Sequence, residues 1–363
     1  MSSIIDKIKE TVTGTSPPSG EHLAAILPSK GSALELTHRP TPTPGPKEIL
    51  IEVKAIALNP VDCIQRDIGF MIASYPAVLG SDVAGTVVSV GSSVPSDAPK
   101  PGTRVAAFAT AFYKQGAPDY GAFQTHVLVP YESSVPLPRG MSFTEATLLP
   151  MAVETVWAGW YTIGVPRDAA YTPADKKGML VWGGASSVGS AAVQIAKLLG
   201  FVVYATASEK HHEYVKGLGA SKVFDYKDEG VVGSVVKAAK EDGVTLNTAY
   251  IAAGHGQVQP CVDILKEFKG EGTAKLASAP VLPEELPKVE GVEVKFVQPP
   301  NDEEARNEHF HFVFGVWLKE KLETGEFVPS PKVQVVEGGL ASVNKALDEL
   351  SKGVSGVKLV VEV

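Results

Sequence analysis

The clearest chemical spacing in the sequence belongs to a glycine-rich segment. Gly184, Ser186 and Gly189 occupy the three positions of the Gly-x-Gly-x-x-Gly pattern, with serine in the middle. The segment lies between the apolar run Gly178–Trp182 and a helix predicted over Ser190–Leu199. There, backbone amides at a helix start can bind the pyrophosphate of a dinucleotide. We expect Gly184 to allow the tight turn, Gly189 to allow close packing, and the Ser186 hydroxyl to donate to phosphate. A generic strand-to-helix turn is the alternative.

The end of the next strand indicates which dinucleotide binds. This strand is predicted over Phe201–Ala207 and has no Asp or Glu at its end. Ser208, Lys210 and His211 follow, while Glu209 is expected to point to solvent. An NAD site needs a carboxylate for the ribose 2′-hydroxyl, whereas hydroxyl and basic groups suit a 2′-phosphate. The pattern favours NADPH, and a solvated helix start is the alternative.

The elements that position these residues indicate an α/β fold with two units. From about residue 22 to residue 150 the pattern is strands and turns, and strands then alternate with helices, as in a doubly wound parallel sheet. We predict an N-terminal extension over 1–21, a catalytic domain over 22–152 and 308–363, and a dinucleotide-binding domain over 153–307. The predicted strands of the first unit are Glu48–Ala57, Ala84–Val90, Arg104–Phe108 and Phe123–Val129.

Composition limits the partners and the compartment. The 363 residues include 33 basic and 41 acidic side chains, a net charge of -8, which argues against a nucleic-acid or membrane partner. Only Cys63 and Cys261 are cysteines, as expected in a reducing cytoplasm. Residues 1–21 do not have the pattern of a signal peptide, and no run approaches the ~20 apolar residues of a membrane helix.

Several segments, in this order, resemble the quinone oxidoreductase branch of the medium-chain dehydrogenases/reductases. They are Ala57–Asp62, Leu79–Gly85, Gly102–Val105, Gly121–Phe123, Leu149–Pro150, the glycine-rich segment, Leu218–Ala220, Phe224–Tyr226 and Gly356–Val360. Within that branch the chain is similar to fungal zinc-binding-dehydrogenase-like proteins, which include trans-acting enoyl reductases of polyketide pathways. The resemblance implies a GroES-like, β-rich catalytic domain plus a Rossmann doubly wound parallel-sheet domain, with the active site between them.

The resemblance also implies a set of site residues. Those near the nicotinamide would be Val61, Asp62, Cys63, Ile64, Thr155, Leu276 and Ala277, with Lys358 closing over the cofactor. Those near the phosphates would be Gly184, Ser186, Ser187 and Val188, then Ser208, Lys210, His211 and Tyr226. A half-buried tyrosine at a strand end is the alternative for Tyr226. The substrate pocket would include Asn59, Phe70 and Tyr75.

The positions of the family's catalytic zinc ligands carry other residue types here. The zinc-dependent alcohol dehydrogenases use a cysteine and a Gly-His-Glu segment, where this chain has Asn59 and Gly80-Ser81-Asp82. An amide and a hydroxyl are poor zinc ligands, so we expect no metal. His309 and His311 could share one face of a strand, but they lack a third ligand.

Without a Lewis acid, reduction of an activated double bond is easier than oxidation of an alcohol. We expect a zinc-independent, NADPH-dependent reductase of a small-molecule enone, enoyl thioester or quinone that works by hydride transfer. Asn59 is a candidate donor to the developing enolate. The proton-donating tyrosine of related enoyl reductases falls at Gly69–Phe70, so no catalytic acid is assigned.

Two other questions stay open at this point. The chain could instead bind the cofactor in a structural or redox-sensing role with little catalysis, and bulky side chains closing the cleft between Asn59 and Thr155 would favour that role. A polyketide synthase and a second copy of the chain, as a homodimer, are both possible partners.

Overall fold

The computed structural model describes residues 20–254 and 257–363. Nearly all of the predicted N-terminal extension lies outside the described residues. The strands are β1 Glu21–Leu27, β2 Glu35–Pro40, β3 Glu48–Ala57, β4 Ala77–Val78, β5 Asp82–Val90, β6 Arg104–Phe108, β7 His126–Pro130, β8 Ser134–Pro136, β9 Gly178–Trp182, β10 Val202–Thr206, β11 Lys222–Phe224, β12 Thr248–Ile251, β13 Ala274–Ser278, β14 Val292–Phe296, β15 Lys332–Val335 and β16 Val357–Glu362. The α-helices are α1 Pro60–Ile68, α2 Phe143–Ala146, α3 Pro150–Ile163, α4 Ser187–Leu198, α5 His212–Leu218, α6 Val231–Asp242, α7 Val258–Leu265, α8 Glu303–Phe310, α9 Lys319–Thr324 and α10 Val343–Ser351, and a π-helix, His311–Leu318, joins α8 to α9.

The middle of the chain forms a six-stranded parallel sheet in the order β11-β10-β9-β12-β13-β14. Relative to its first strand β9, this is the order 3-2-1-4-5-6 of the Rossmann fold. Alternate residues of β9 pack on opposite faces: Met179 and Val181 contact the core under α3 and α4, and Leu180 and Trp182 contact the core under α6 and α7. Burial on both faces explains why this strand has no polar residue.

The flanking parts of the chain form a second, mainly antiparallel sheet. Its order is β15-β16-β3-β5-β6-β8. Strand β16 pairs with the last residues of β3, and β7 pairs with the first residues of β3. The C-terminal strand β16 therefore lies beside β3, which is about 300 residues earlier in the chain. A small sheet, β2-β1-β4, covers one end. Together these sheets confirm the predicted α/β class, with one β-rich unit and one doubly wound unit.

Helix α3 connects the two units. Its residues Trp157 and Trp160 are buried, and the hydrophobic core around them includes Ala106 and Phe108 of β6 as well as Val181 of β9. The chain between α8 and α9 packs against the same core. None of the described helices is both long and apolar enough to span a membrane.

Comparison with the predicted elements shows where the sequence was informative. The bounds of β3, β6 and β9 agree with the predictions, because apolar alternation or an unbroken apolar run marks each strand. The strand predicted over Phe123–Val129 is found at His126–Pro130, so it begins three residues later and ends one residue later. The prediction that His309 and His311 lie on a strand was wrong, since both lie on the helical segment from α8 into the π-helix.

Candidate active site

The glycine-rich segment forms the turn from β9 into α4, as predicted, but its glycines have different roles. Gly183, not Gly184, has the left-handed φ of +86° that makes the tight turn. A Cβ on Gly184 would lie 3.2 Å from Ala205 Cβ, so this glycine permits close packing on the next strand. A Cβ on Gly189 would lie 2.1 Å from Gly183 O, which supports the predicted role of Gly189 in helix packing.

Two serines begin helix α4 and differ in their hydrogen bonding. The Ser186 hydroxyl caps the helix: it accepts from Gly189 N at 3.0 Å and donates to Gly183 O at 2.8 Å. Its proton is directed to Gly183 O here, so the donation from Ser186 to phosphate stays a prediction. The Ser187 hydroxyl is buried without a partner among the described residues. The first amides of α4, those of Ser187 and Val188, have no intrahelical acceptor.

A cavity of about 220 Å³ opens beside this turn. The structure brings four of the predicted phosphate-binding residues to it, namely Ser186, Ser208, His211 and Tyr226. Lys210, next to His211 in the chain, is exposed and does not line the cavity. Tyr226 is 42% exposed and therefore accessible to a ligand. The predicted orientation of Glu209 toward solvent is confirmed. The cavity therefore combines helix-start amides with hydroxyl and basic side chains.

A second group of interest is a buried cluster of charged and polar side chains. Asp82 is fully buried, and its Oδ2 accepts from Asn59 Nδ2 at 2.8 Å and pairs with Lys358 Nζ at 2.9 Å. The other oxygen, Oδ1, accepts from Met151 N at 2.6 Å, at the start of α3. Lys358 also donates to Asn59 Oδ1 at 2.5 Å. Every polar atom of Asp82 is thus engaged, and its charge is compensated.

Asp62 belongs to the same cluster. Its Oδ2 accepts from the backbone N of Asn59 at 2.7 Å and caps helix α1, while its Oδ1 is buried without a partner among the described residues. Burial raises the pKa of Asp62 to about 7, and the charge of Asp82 adds to this effect. The hydrogen bond from Asn59 and the charge of Lys358 oppose the rise. Asp62 can therefore exchange a proton near neutral pH.

The side chains predicted to surround the nicotinamide are only partly brought together. On α1, Val61 and Ile64 remain half-buried, whereas the Cys63 thiol is buried 3.5 Å from Leu347 O on α10. The position of Cys63 makes it part of the core of the β-rich unit. Its burial raises the pKa of the thiol, which further limits its reactivity.

Two further nicotinamide predictions lie on α3 and β13. Thr155 is half-buried and donates to Met151 O at 2.6 Å, and its own carbonyl accepts from the Tyr250 hydroxyl at 2.7 Å. Leu276 and Ala277 are completely buried inside the parallel sheet. Ligands meet parallel strands at their carboxyl ends, and this pair comes just before Ser278, the last residue of β13, so contact of the pair with the nicotinamide stays a prediction.

The loop after α1 carries the remaining substrate-pocket predictions. Phe70 and Tyr75 are 38% and 37% exposed, and the neighbouring Ile68 and Met71 are also exposed. The Tyr75 hydroxyl lies against Gly69, where an added Cβ would be 2.6 Å from it. The family's proton-donating tyrosine falls at Gly69–Phe70, where this chain has no hydroxyl in sequence. The Tyr75 hydroxyl lies beside that position in the fold, a contact that sequence order alone does not indicate.

The histidine pair is divided between two surroundings. His309 is buried, with its Nε2 3.5 Å from Oε1 of the buried Glu154, whereas His311 is exposed. Within residues 20–254 and 257–363, no three His, Cys, Asp or Glu side chains are arranged to hold a metal ion. Sequence reasoning missed Glu154, since a single glutamate in an apolar helix has no local partner that would mark it.

Comparisons with known proteins agree with this architecture. Residues 45–139 match the alcohol dehydrogenase GroES-like domain, and residues 187–271 match the zinc-binding dehydrogenase family. The chain is 53% identical over 342 residues to the trans-enoyl reductase tndF of Aspergillus flavipes, covering 94% of this chain and 99% of the relative. It is 54% identical over 290 residues to the trans-enoyl reductase tazE of Aspergillus terreus, covering 79% and 95%.

Solved structures share the fold at lower identity. The quinone oxidoreductase of Pseudomonas syringae has a TM-score of 0.73 at 23% identity, covering 94% of this chain and 100% of that one. The CurK enoyl reductase has a TM-score of 0.71 at 19% identity, covering 94% and 99%. With its GroES-like and dinucleotide-binding units and these relatives, the chain belongs to the medium-chain dehydrogenase/reductase superfamily.

Proposed function

We propose that this protein is a zinc-independent, NADPH-dependent reductase of the carbon–carbon double bond of an enoyl thioester. The observation that carries the proposal is the Asn59–Asp82–Lys358 cluster. The carboxylate of Asp82, at a position of the family's zinc ligands, is saturated by Met151 N, Asn59 and Lys358. A metal would have to displace a buried ammonium ion from that carboxylate.

The residues around the turn from β9 into α4 fit a dinucleotide. The unpartnered Ser187 hydroxyl and the free amides at the start of α4 suit the pyrophosphate, and Gly189 leaves room for the close turn. Ser208, Lys210 and Tyr226 would surround the adenosine 2′-phosphate. The absence of an acidic side chain at the end of β10 supports NADPH over NADH. Once bound, the reduced nicotinamide supplies the hydride.

The chain's own task is to orient the substrate and stabilise the charge that develops on it. Hydride addition to the β-carbon of an enoyl thioester moves an electron pair onto the carbonyl oxygen as an enolate. Asn59 has one amide N–H not used by Asp82, and this N–H can donate to that oxygen. Protonation of the α-carbon then completes the reduction, with water or the Tyr75 hydroxyl as the proton source.

The proposed substrate is a chain carried by a polyketide synthase, with this protein acting in trans. Support comes from the two trans-enoyl reductases at 53% and 54% identity. The exposed apolar side chains Ile68, Phe70 and Met71 border the loop of the proposed substrate pocket. Such a border suits an acyl chain that enters while still attached to its carrier.

The test is NADPH oxidation, followed at 340 nm, with an enoyl N-acetylcysteamine thioester, an enone and a quinone, and with NADH as the comparison nucleotide. We expect the enoyl thioester and NADPH to give the highest rate, and the same enoyl group on a synthase carrier domain to react faster still. Equal rates with NADH would refute the cofactor assignment, and no turnover of any substrate would refute the reductase. Stoichiometric zinc in the purified protein would refute zinc independence.

A matched pair of variants tests Asn59. The N59A variant should lower kcat by about 10²–10³-fold, the typical effect of losing one donor to a developing oxyanion. The control is N344A, which removes another amide with a structural role, since Asn344 bonds both backbone groups of Leu34. If N344A lowers kcat as much as N59A, Asn59 has no specific role in catalysis.

A further inference from the structure

The cavity near the proposed adenosine site has walls from both structural units. Ser208, His211 and Tyr226 come from the dinucleotide-binding unit, and Val354, Ser355 and Gly356 form the opposite wall. These last three residues end the turn 352–356, which leads directly into β16 of the antiparallel sheet. The cavity is therefore an interface between units, although sequence reasoning placed it within the parallel-sheet unit alone.

Direct contact joins the two walls. His211 Nε2 lies 2.9 Å from the Ser355 hydroxyl, within hydrogen-bond distance. The imidazole also packs on the backbone of Gly356, where an added Cβ would lie 2.4 Å from His211 Cε1. Gly356 has a φ of +67°, so both the space and the backbone conformation require glycine. The turn 352–356 is thus fitted closely to His211.

Basic side chains meet here from both units. Lys332 is the first residue of β15 and pairs in register with Val357, next to Gly356. Its charge and that of Lys210 both lower the pKa of His211, after the larger effect of burial. Both lysines are exposed, and neither has an ion-pair partner among the described residues. The charges of two exposed lysines, one from each unit, therefore act on His211, whose ring also contacts the Ser355 hydroxyl.

We infer that Lys332 and Ser355 complete the phosphate-recognition site from the catalytic-domain side, so that a ribose 2′-phosphate holds the two units together. This inference rests on the proposed NADPH dependence. A phosphomonoester carries close to two negative charges and three acceptor oxygens, which suits donors arriving from opposite walls. NADH lacks this group, so it can occupy the same cleft without engaging Lys332 and Ser355.

The first test is direct binding of NADPH, NADH, 2′,5′-ADP and 5′-AMP to the full-length protein by calorimetry. We expect K332A and S355A each to weaken binding of NADPH and 2′,5′-ADP by about tenfold, as for loss of one charge-assisted contact, and to leave NADH and 5′-AMP unchanged. The control K345A removes an exposed lysine of α10 on the same unit and should change nothing.

The second test measures whether the 2′-phosphate holds the turn 352–356 in place, rather than how tightly the ligand binds. Hydrogen exchange of the amides in the turn 352–356 should slow with 2′,5′-ADP and should not slow with 5′-AMP. If the wild-type protein prefers NADPH but K332A and S355A keep that preference in full, the cross-unit site is refuted and the proposed function stands. If the wild-type protein binds NADH as well as NADPH, the proposed cofactor itself is wrong.

Discussion

The Lys358 ammonium is buried and bonded to Asp82 and Asn59, whereas Lys210 and Lys332 are exposed and unpaired among the described residues. The difference follows from solvation. A buried charge is tolerable only with its partners in place, and the partners then leave it no capacity for a ligand. Exposed ammonium groups stay hydrated and can exchange water for an anion. In the proposed function, the buried charge would belong to the catalytic cluster and the exposed charges would recognise the cofactor phosphate.

The largest effect should come from breaking the buried pair. The D82A variant leaves the Lys358 ammonium buried without its counter-charge, and we expect a loss of about 3–5 kcal/mol in the free energy of unfolding, measured by urea titration. The D82A/K358M double variant should recover most of that loss, because no unpaired charge remains. E213A, which breaks the exposed Glu213–Lys216 pair, is the control and should cause no measurable change. If D82A also causes no measurable change in the free energy of unfolding, the contrast between buried and exposed charges is contradicted.

The pH dependence of stability should report on Asp62. Because its folded pKa of about 7 lies above the ordinary carboxyl value, the folded protein keeps a proton that the unfolded chain loses between those two values. The free energy of unfolding should therefore fall as the pH rises toward 7, by at most roughly 1.4 kcal/mol per pH unit from this group. Urea titrations between pH 5 and pH 7 should show a flatter dependence for D62N.

The D67N variant is the control for this measurement, because Asp67 lies on the same helix but is exposed. It should keep the wild-type dependence on pH. If D62N and the wild-type protein show the same slope, Asp62 is ionised throughout this range and its burial has been compensated in another way.

A glycine pair tests the fit of the turn 352–356 on His211. G356A and G353A both place a side chain at a left-handed φ, which should lower stability by roughly 1–2 kcal/mol in each case. Only G356A also collides with His211, since a Cβ on Gly353 would have no atom within 4 Å. We expect G356A alone to weaken NADPH binding, by several-fold in calorimetry. Equal affinities of the two variants would show that this contact does not shape the site.

The smallest effect concerns the unpartnered Ser187 hydroxyl. Removing a buried hydroxyl that has no partner should not lower Tm, but S187A should weaken dinucleotide binding by about 0.5–1.5 kcal/mol. S190A is the matched variant with the opposite pattern, because the Ser190 hydroxyl bonds Ser187 O and Ser330 Oγ. It should lower Tm and spare binding. A stability loss in S187A would indicate that its hydroxyl has a structural partner.

The same contrast explains how much the sequence could predict. The strand β9, the turn with Gly184 and Gly189, and helix α4 are consecutive in the chain, so local pattern was sufficient to place them. The pairing of Asp82 with Lys358 joins positions 276 residues apart, and it depends on β16 lying beside β3. No local signal indicates such a pairing, so Lys358 was predicted at the cofactor without its partners Asp82 and Asn59.

Errors of one or two residues had a similar origin. Gly183 takes the turn conformation expected of Gly184, and the side chains of Leu276 and Ala277 are buried in the core. Sequence patterns define the register of an element less sharply than its existence. For a site at strand ends, such a shift decides whether a side chain faces the ligand or the core.

Helix α3 has a consequence for protein engineering. Its first turn donates to Asp82 through Met151 N, and one turn later Thr155 O accepts from Tyr250 of the parallel sheet. The helix is therefore a shared part of both units, although the predicted domain boundary, between residues 152 and 153, divides it in its first turn. A chimera that exchanges the dinucleotide-binding half with a relative should take both contacts of this helix from the same parent. A junction placed at its first residue would leave Asp82 with a foreign helix.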